Sequence, residues 1–258
     1  MSGCPSHPVS RELRTAIRYD EGRHPRAKLG FVLLATEQTV QDDVVKLCPP
    51  GVGVHFARAW IPDSITSQTL AAQAELLADC AATLLPDGSL DVVCYACTSG
   101  SLVIGEDRVF AELKRGAPGA RPTSLVTGVI RALRAVGAHS LAVATPYLDE
   151  INAREAAYLE RAGFEVAAIE GLNLERDSDM VRVTPDFIVE FALSVDRPDA
   201  DAIFVSCGAL RTLDVLQAIE DRAGKPVIAS NQAMIWDTLR LAGVTDQRAG
   251  YGQLLAMH

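Results

Sequence analysis

Long apolar runs are missing from this sequence. No stretch approaches the ~18 residues that a membrane-crossing helix needs, so no transmembrane segment is expected. The opening, "MSGCPSHPVSRELRTAIRYDEGRHPRAK", also lacks the apolar centre of a secretory leader. Cysteine is sparse, at 6 in 258 residues, too few for a disulfide scaffold, and a reduced, cytoplasmic setting is the expectation. Positive charge is short: 24 Lys and Arg stand against 33 Asp and Glu, a net charge of -9 that offers no surface for nucleic-acid phosphates. A small anion stays possible, because backbone N–H groups at a helix start can hold one. The five histidines (His7, His24, His55, His139, His258) have no metal-ligand spacing, so no metal is expected. None sits beside a strand-to-helix turn either, which leaves Ser-His-Asp chemistry without support. Gly-x-Gly-x-x-Gly and Walker-type phosphate loops are absent.

What remains is a chain that is 48% apolar and long enough for real cores. "KLGFVLLAT", "GVGVHFARAW", "DVVCYAC", "SLAVATP", "FEVAAIEG", "DAIFVSC" and "KPVIAS" read as strands, several of them continuous apolar runs of the kind buried on both faces of a parallel sheet. Helical patterns lie between them. One is predicted from a cap at Asp63 or Ser64 to Pro86-Asp87-Gly88, with Leu70, Leu77 and Leu84 on its apolar face. Others are predicted for "IGEDRVFAELKRG", ending at Gly116, for "LDEINAREAAYLERAG" and for "ALRTLDVLQAIEDRAG". Three pairs of segments repeat at an offset of about 104–112 residues, among them "RPTSLVTGVIRALRAVGA" and "KPVIASNQAMIWDTLRLAGV". An internal duplication follows. The expected fold is α/β, two pseudo-symmetric Rossmann-like lobes with parallel four-stranded sheets and a cleft between them. The expected divisions are an N-terminal extension (1–27), a first lobe (28–127, completed by a C-terminal helix at about 231–258) and a second lobe (128–230).

The duplication places two cysteines at equivalent strand ends, Cys97 in "DVVCYACTSGS" and Cys207 in "DAIFVSCGALRT". Ligands of open parallel sheets sit outside the carboxyl ends of the strands, so the two sulfurs are expected to face one another across the cleft. N–H groups of a following helix favour a thiolate, which serves as base or nucleophile. Thr98, Ser99, Gly208 and Ala209 are small or hydroxylated residues that let a carboxylate come close. A lone cysteine at such a place is as often a small buried apolar residue; the paired placement is what points to chemistry. Cys94, inside a strand, reads as core, and Cys4, Cys48 and Cys80 have no chemical context.

With "YACTSGS", "TPYLDEIN" and the long segment from Val205 to Gly243, the chain resembles the Asp/Glu racemase superfamily. Within it the resemblance is to the group holding maleate cis-trans isomerase and arylmalonate decarboxylase, and it runs from about Lys28 to the end. It implies two α/β lobes, no cofactor, a small carboxylic acid as substrate and a homo-oligomer, dimer or tetramer. It implies that Cys97 attacks a substrate double bond while Cys207 handles a proton, or that the pair act as base and acid on opposite faces of an α-carbon. The decarboxylase keeps only the second cysteine, so both together favour isomerisation or racemisation over arylmalonate-type decarboxylation. Tyr147 and Asn173 match substrate-binding positions, and Arg211 and Asn231 are secondary candidates. One departure stands out: maleate isomerases read "P-S-S-N-T" after the first strand where this chain reads "LLATEQT", putting Glu37 at the place of a substrate-binding asparagine. A carboxylate there repels a dicarboxylate unless protonated and welcomes an amino group. The "ATEQT" version resembles the branch associated with ectoine utilisation and implies an amino-acid substrate, such as a diaminobutyrate. A non-catalytic small-molecule binding protein on the same lobes is the rival class.

Overall fold

The computed structural model describes residues 16–258; Cys4, His7 and the larger part of the 1–27 extension lie outside them. Strands β1 (Ala27–Leu34), β2 (Val52–Ala59), β3 (Val92–Tyr95) and β4 (Arg121–Ser124) form one sheet in the order β2-β1-β3-β4. Strands β5 (Ser140–Thr145), β6 (Glu165–Gly171), β7 (Ala202–Val205) and β8 (Val227–Ala229) form a second in the order β6-β5-β7-β8. Every pairing is parallel, and the two orders are the same pattern repeated. The fold is thus α/β with two parallel four-stranded sheets, as the alternation of apolar strands and helices predicts.

Strand alternation divides the interior into layers. Leu29, Phe31 and Leu33 of β1, Cys94 of β3, Leu141 and Val143 of β5, Phe204 of β7 and Ile228 of β8 belong to one apolar core common to both sheets. Their neighbours Val32, Val93, Tyr95, Ile203, Val205 and Val227 turn to a second layer that also contains Cys97 and Cys207. The common core is closed by the helices that follow the last strand of each sheet, α6 (Leu125–Ala135) and α11 (Ser230–Leu241). They meet at Gly128, where an added Cβ would lie 3.0 Å from both the Ala233 carbonyl oxygen and Met234 Cα. Every residue of α11 from Ser230 to Leu239 is buried. Two of its polar side chains reach the first sheet and its helices: Asp237 accepts from Thr123 Oγ1 (2.8 Å) and Arg131 Nη1 (2.9 Å), and Asn231 Nδ2 donates to Asp43 Oδ2 (2.8 Å).

Two helical expectations change. The segment predicted as one helix from Asp63 is two, α2 (Ser67–Ala72) and α3 (Leu77–Ala82), joined by a short 3-10 turn at Gln73–Glu75. Thr66 is its cap, accepting the Thr69 N–H. Asp63 instead receives Arg176 Nε (2.8 Å) and Ser178 Oγ (2.7 Å), while Ser64 donates to Glu175. The apolar stripe survives the break, with Leu70, Leu77 and Leu84 all buried. The segment after Cys207 becomes regular helix only at α10 (Leu216–Ala223), after a 3-10 turn at Thr212–Asp214.

The close meeting of α6 and α11 gives a stability prediction. Gly128→Val places branched carbon atoms against backbone that has no room to retreat. The unfolding free energy should fall by about 1–3 kcal/mol, read as a lower urea midpoint at unchanged slope; an unchanged midpoint would show that the contact is loose.

Candidate active site

Both cysteines lie two residues beyond the end of a central strand, but the chain holds them differently. Cys97 is extended (φ -143°, ψ 120°) and caps α4 (Thr98–Ile104), its Sγ accepting the Gly100 N–H at 3.2 Å. The Ser99 hydroxyl lies 3.6 Å from the same sulfur. Gly100 is needed here, because a Cβ would fall 2.3 Å from the Tyr95 hydroxyl beneath the first turn. Cys207 has φ 104°, a conformation rare for a side-chain-bearing residue. Such strain costs of order 1–3 kcal/mol and persists where the surroundings over-determine it. They do so here: the Cys207 N–H donates to Ser230 Oγ (2.9 Å), Asn231 Nδ2 donates to the Gly208 carbonyl (2.9 Å), and Thr39 Oγ1 donates to the Ala209 carbonyl (2.9 Å). These bonds replace those of a helix, which is why none forms immediately after Cys207. Ser230 reaches further, since its hydroxyl also pairs with Thr98 Oγ1 at 3.2 Å. One side chain therefore ties the two cysteine loops together.

A small, narrow cavity lies between these loops. Its wall includes Cys97, Thr98, Ser99, Tyr147, Cys207, Gly208, Ala209 and Glu37, so eight of the nine site residues expected from sequence meet at one place. The ninth, Asn173, is not on that wall. It occupies a left-handed turn (φ 54°) and donates its backbone N–H to the Tyr147 carbonyl, holding the loop that carries the tyrosine. Arg211 donates to the Val183 carbonyl (3.0 Å) and faces a separate surface cleft with Lys46 and Asp214. Asn231 stands behind Gly208 and outside the wall. Cys94 is core, as expected, and Cys48 and Cys80 are free and half-buried. Among the described residues no cluster of His, Cys, Asp and Glu is arranged to hold a metal.

Sequence reasoning missed Asp177, which opens α8 (Asp177–Met180) and reaches the cavity with its helix neighbour Met180. Its Oδ2 accepts the Thr36 hydroxyl at 2.6 Å. Only the general acidity of "ERDSDM" hinted at it. Glu37 is fixed from the other side. Its Oε1 accepts the N–H groups of Thr39 (2.5 Å) and Val40 (2.7 Å) at the start of α1 (Val40–Leu47), while its buried Oε2 has no partner.

Burial governs the ionisation of the site. It pushes the Cys97 thiol up to about 11, against the opposing pull of the Gly100 N–H and the Ser99 hydroxyl, with nearby Asp177 adding to the rise. Burial raises Cys207 still further, again with Asp177 adding to it and the Tyr147 hydroxyl and Ala209 N–H opposing. The helix N–H favours the thiolate, as expected, but desolvation outweighs it here. Glu37 and Asp177 are likewise raised by burial, and Glu37 is raised further by the neighbouring charge of Asp177.

A sequence-family model for arylmalonate decarboxylase matches residues 49–255, and the chain belongs to that family. It is 38% identical over 143 residues to the arylmalonate decarboxylase of Bordetella bronchiseptica, an alignment spanning 54% of this chain and 60% of that protein. It is 24% identical to the maleate isomerase of Nocardia farcinica over 239 residues, 88% of this chain and 95% of that one. Among solved structures, a cysteine-to-serine variant of the Nocardia farcinica maleate cis-trans isomerase, bearing a covalently bound succinylcysteine intermediate, superposes with a TM-score of 0.83. That match is 22% identical and covers 90% of this chain and 99% of that one. The two-sheet fold is therefore shared with both kinds of enzyme.

Two measurements follow. In the free protein, iodoacetamide should alkylate Cys97 slowly at pH 7, since the fraction of thiolate falls about tenfold for each pKa unit of upward shift. The rate should climb with an inflection at about 11; an inflection below pH 8 would contradict the buried, protonated resting state. Ser230→Ala strands the buried Cys207 N–H and should cost about 1–3 kcal/mol of unfolding free energy, measured by chemical denaturation.

Proposed function

We propose that the protein is a cofactor-independent isomerase of a small carboxylic acid, using Cys97 and Cys207 as its two reacting groups. The observation that carries the reading is that both sulfurs line one small cavity from equivalent strand ends of the two sheets. On this reading the substrate carboxylate lies against the Thr98 and Ser99 hydroxyls and Tyr147. Residues 28–127 and 128–230 then form the two lobes, with the chain from about 231 completing the first. The bonds from Asn231 to Asp43 and from Asp237 to Thr123 support that division. The free cysteines agree with a reducing, cytoplasmic setting, and no helix among the described residues is long and apolar enough to cross a membrane.

In the maleate-type reaction, Cys97 gives up its proton to solvent as substrate binds, its thiolate adds to one alkene carbon, and Cys207 delivers a proton to the other. The former double bond, now single, rotates. Cys207 then takes a proton back as the C–S bond breaks, and the trans alkene leaves with sulfur and proton restored. Covalent addition replaces a forbidden rotation by an easy one. The Gly100 N–H and Ser99 hydroxyl beside Cys97 are placed to receive the sulfur's charge once its proton departs.

Glu37 favours a second reading, a racemase or epimerase of an amino acid. There one sulfur removes the α-proton while the other supplies a proton to the opposite face, with atoms conserved and configuration inverted. The relationship to arylmalonate decarboxylase adds loss of carbon dioxide as a third chemistry to be scored.

A substrate screen in D2O separates these chemistries. The expected result is cis–trans conversion of an unsaturated acid, or solvent deuterium at the α-carbon of an amino acid, without consumption of any cofactor. Cys97→Ser and Cys207→Ser should each lower turnover by at least about 10³-fold, since a hydroxyl at its ordinary pKa is a far weaker nucleophile and base than a thiolate, with folding intact by circular dichroism. Full activity in either variant contradicts the two-sulfur scheme. Carbon dioxide release that survives Cys97→Ser assigns the decarboxylase chemistry instead.

A further inference from the structure

We infer that Asp177 and Glu37 together form a recognition site for a cationic group, so that the substrate is a small carboxylic acid carrying an ammonium rather than a second carboxylate. The inference rests on the reading above, that this cavity is the substrate site. It adds a specificity-determining residue, Asp177, and the charge of the substrate's far end.

The wall of the cavity carries two carboxyl groups and no lysine, arginine or histidine. Both acids are well over nine-tenths buried, at 5% exposure for Glu37 and 4% for Asp177. Each is fixed through one oxygen and leaves the other unused. Two backbone N–H groups hold Glu37 Oε1, and Oε2 is buried without a partner. Thr36 holds Asp177 Oδ2, and no hydrogen bond to Oδ1 is formed among the described residues. Arg58 offsets Glu37 only in part and makes no bond to either carboxyl: its guanidinium donates to the carbonyls of Glu37 (2.7 Å) and Leu34 (3.3 Å) and to Gln41. The nearby Asp63 is committed to Arg176 and Ser178.

Burying a carboxylate without a partner is costly, and burying two side by side more so. Such a pair is relieved by a ligand that brings the missing positive charge, and an ammonium offers several N–H donors to the two free oxygens. A second carboxylate would add like charge to the same place whenever either acid is ionised. The same wall carries the Thr98 and Ser99 hydroxyls, suited to one carboxylate. The site therefore combines hydroxyls for one end of a small acid with carboxyl groups for a cationic one. The ammonium would act on the sulfurs as well. Asp177 is among the charges that hold Cys97 and Cys207 protonated, and neutralising it by an ion pair eases the departure of the thiol proton as substrate binds.

Calorimetric titration with three probes of similar length, 4-aminobutanoate, succinate and butanoate, tests this without requiring turnover. The wild-type protein should bind 4-aminobutanoate at least about tenfold more tightly than succinate. Asp177→Asn and Glu37→Gln, which preserve shape and the hydrogen bonds to Thr36 and to the α1 backbone, should each weaken 4-aminobutanoate about tenfold and leave butanoate within about twofold. Succinate binding as tightly as 4-aminobutanoate, or a preference for the amine that survives both substitutions, overturns the inference while leaving the two-sulfur reading in place. Binding of none of the three overturns both. An amine preference without deuterium exchange on any ammonium-bearing acid in D2O overturns only the catalytic reading.

Discussion

The hydroxyl of Ser230 is the point at which the two halves of the molecule are registered. It accepts the Cys207 N–H and pairs with Thr98, the residue after Cys97, so the strand ends of two separate sheets are fixed to a common atom. Strand register shows how the duplication made this possible. Ser124 lies opposite Tyr95 at the end of β3, and Ala229 lies opposite Val205 at the end of β7, so Ser124 and Ala229 are equivalent. In the first lobe the serine caps its own helix through the Thr127 N–H. In the second that position is alanine, Gln232 takes the local bond to the Ala229 backbone, and the serine moves one residue on, free to serve the Cys207 loop. Equivalent positions have thus been divided between a structural and an organising duty.

The same asymmetry distinguishes the cysteines. Cys97 needs only a helix start, with its sulfur over the Gly100 N–H. Cys207 is held at positive φ by bonds that come from α11 and from the start of α1. Those bonds reach across the molecule, so the position of the second sulfur depends on both sheets being folded and joined. The common apolar core and the tight meeting of α6 and α11 at Gly128 supply that rigidity. Packing remote from the cavity thereby sets its geometry.

The strands were legible in the sequence because parallel strands buried on both faces leave a continuous apolar imprint that needs no knowledge of neighbours. The repeat located Cys97 and Cys207 at matching ends, and the small and hydroxyl residues beside them followed from the same alignment. What escaped was decided by tertiary contacts. The periodicity of "ALRTLDVLQAIEDRAG" carries no sign that the carbonyls of Gly208 and Ala209 are taken by Asn231 and Thr39. The predicted cap at Asp63 or Ser64 failed because those side chains bond to the segment around Arg176, more than a hundred residues away. That contact also presents Asp177 to the cavity, and no local pattern singles it out among its acidic neighbours. Asn173 drew attention by its place in the chain; it stands off the wall, with its backbone N–H on the Tyr147 carbonyl.

Burial explains why the site contains these groups in this protonation state. Two thiols and two carboxyls share a small, largely dehydrated space, and every one of them is pushed toward its neutral form. For carboxyls and thiols alike, desolvation works against the charge that chemistry requires. Hydrogen-bond donors aimed at the sulfurs lower that penalty without removing it, so the free protein is a poised acid rather than a standing nucleophile. Activation then has to arrive with the substrate, through exclusion of water from the reacting atoms and through whatever charge the substrate carries. A cavity whose ionisable groups are all acids responds most strongly to a positive charge, and Asp177, whose charge acts on both sulfurs, passes that response to them.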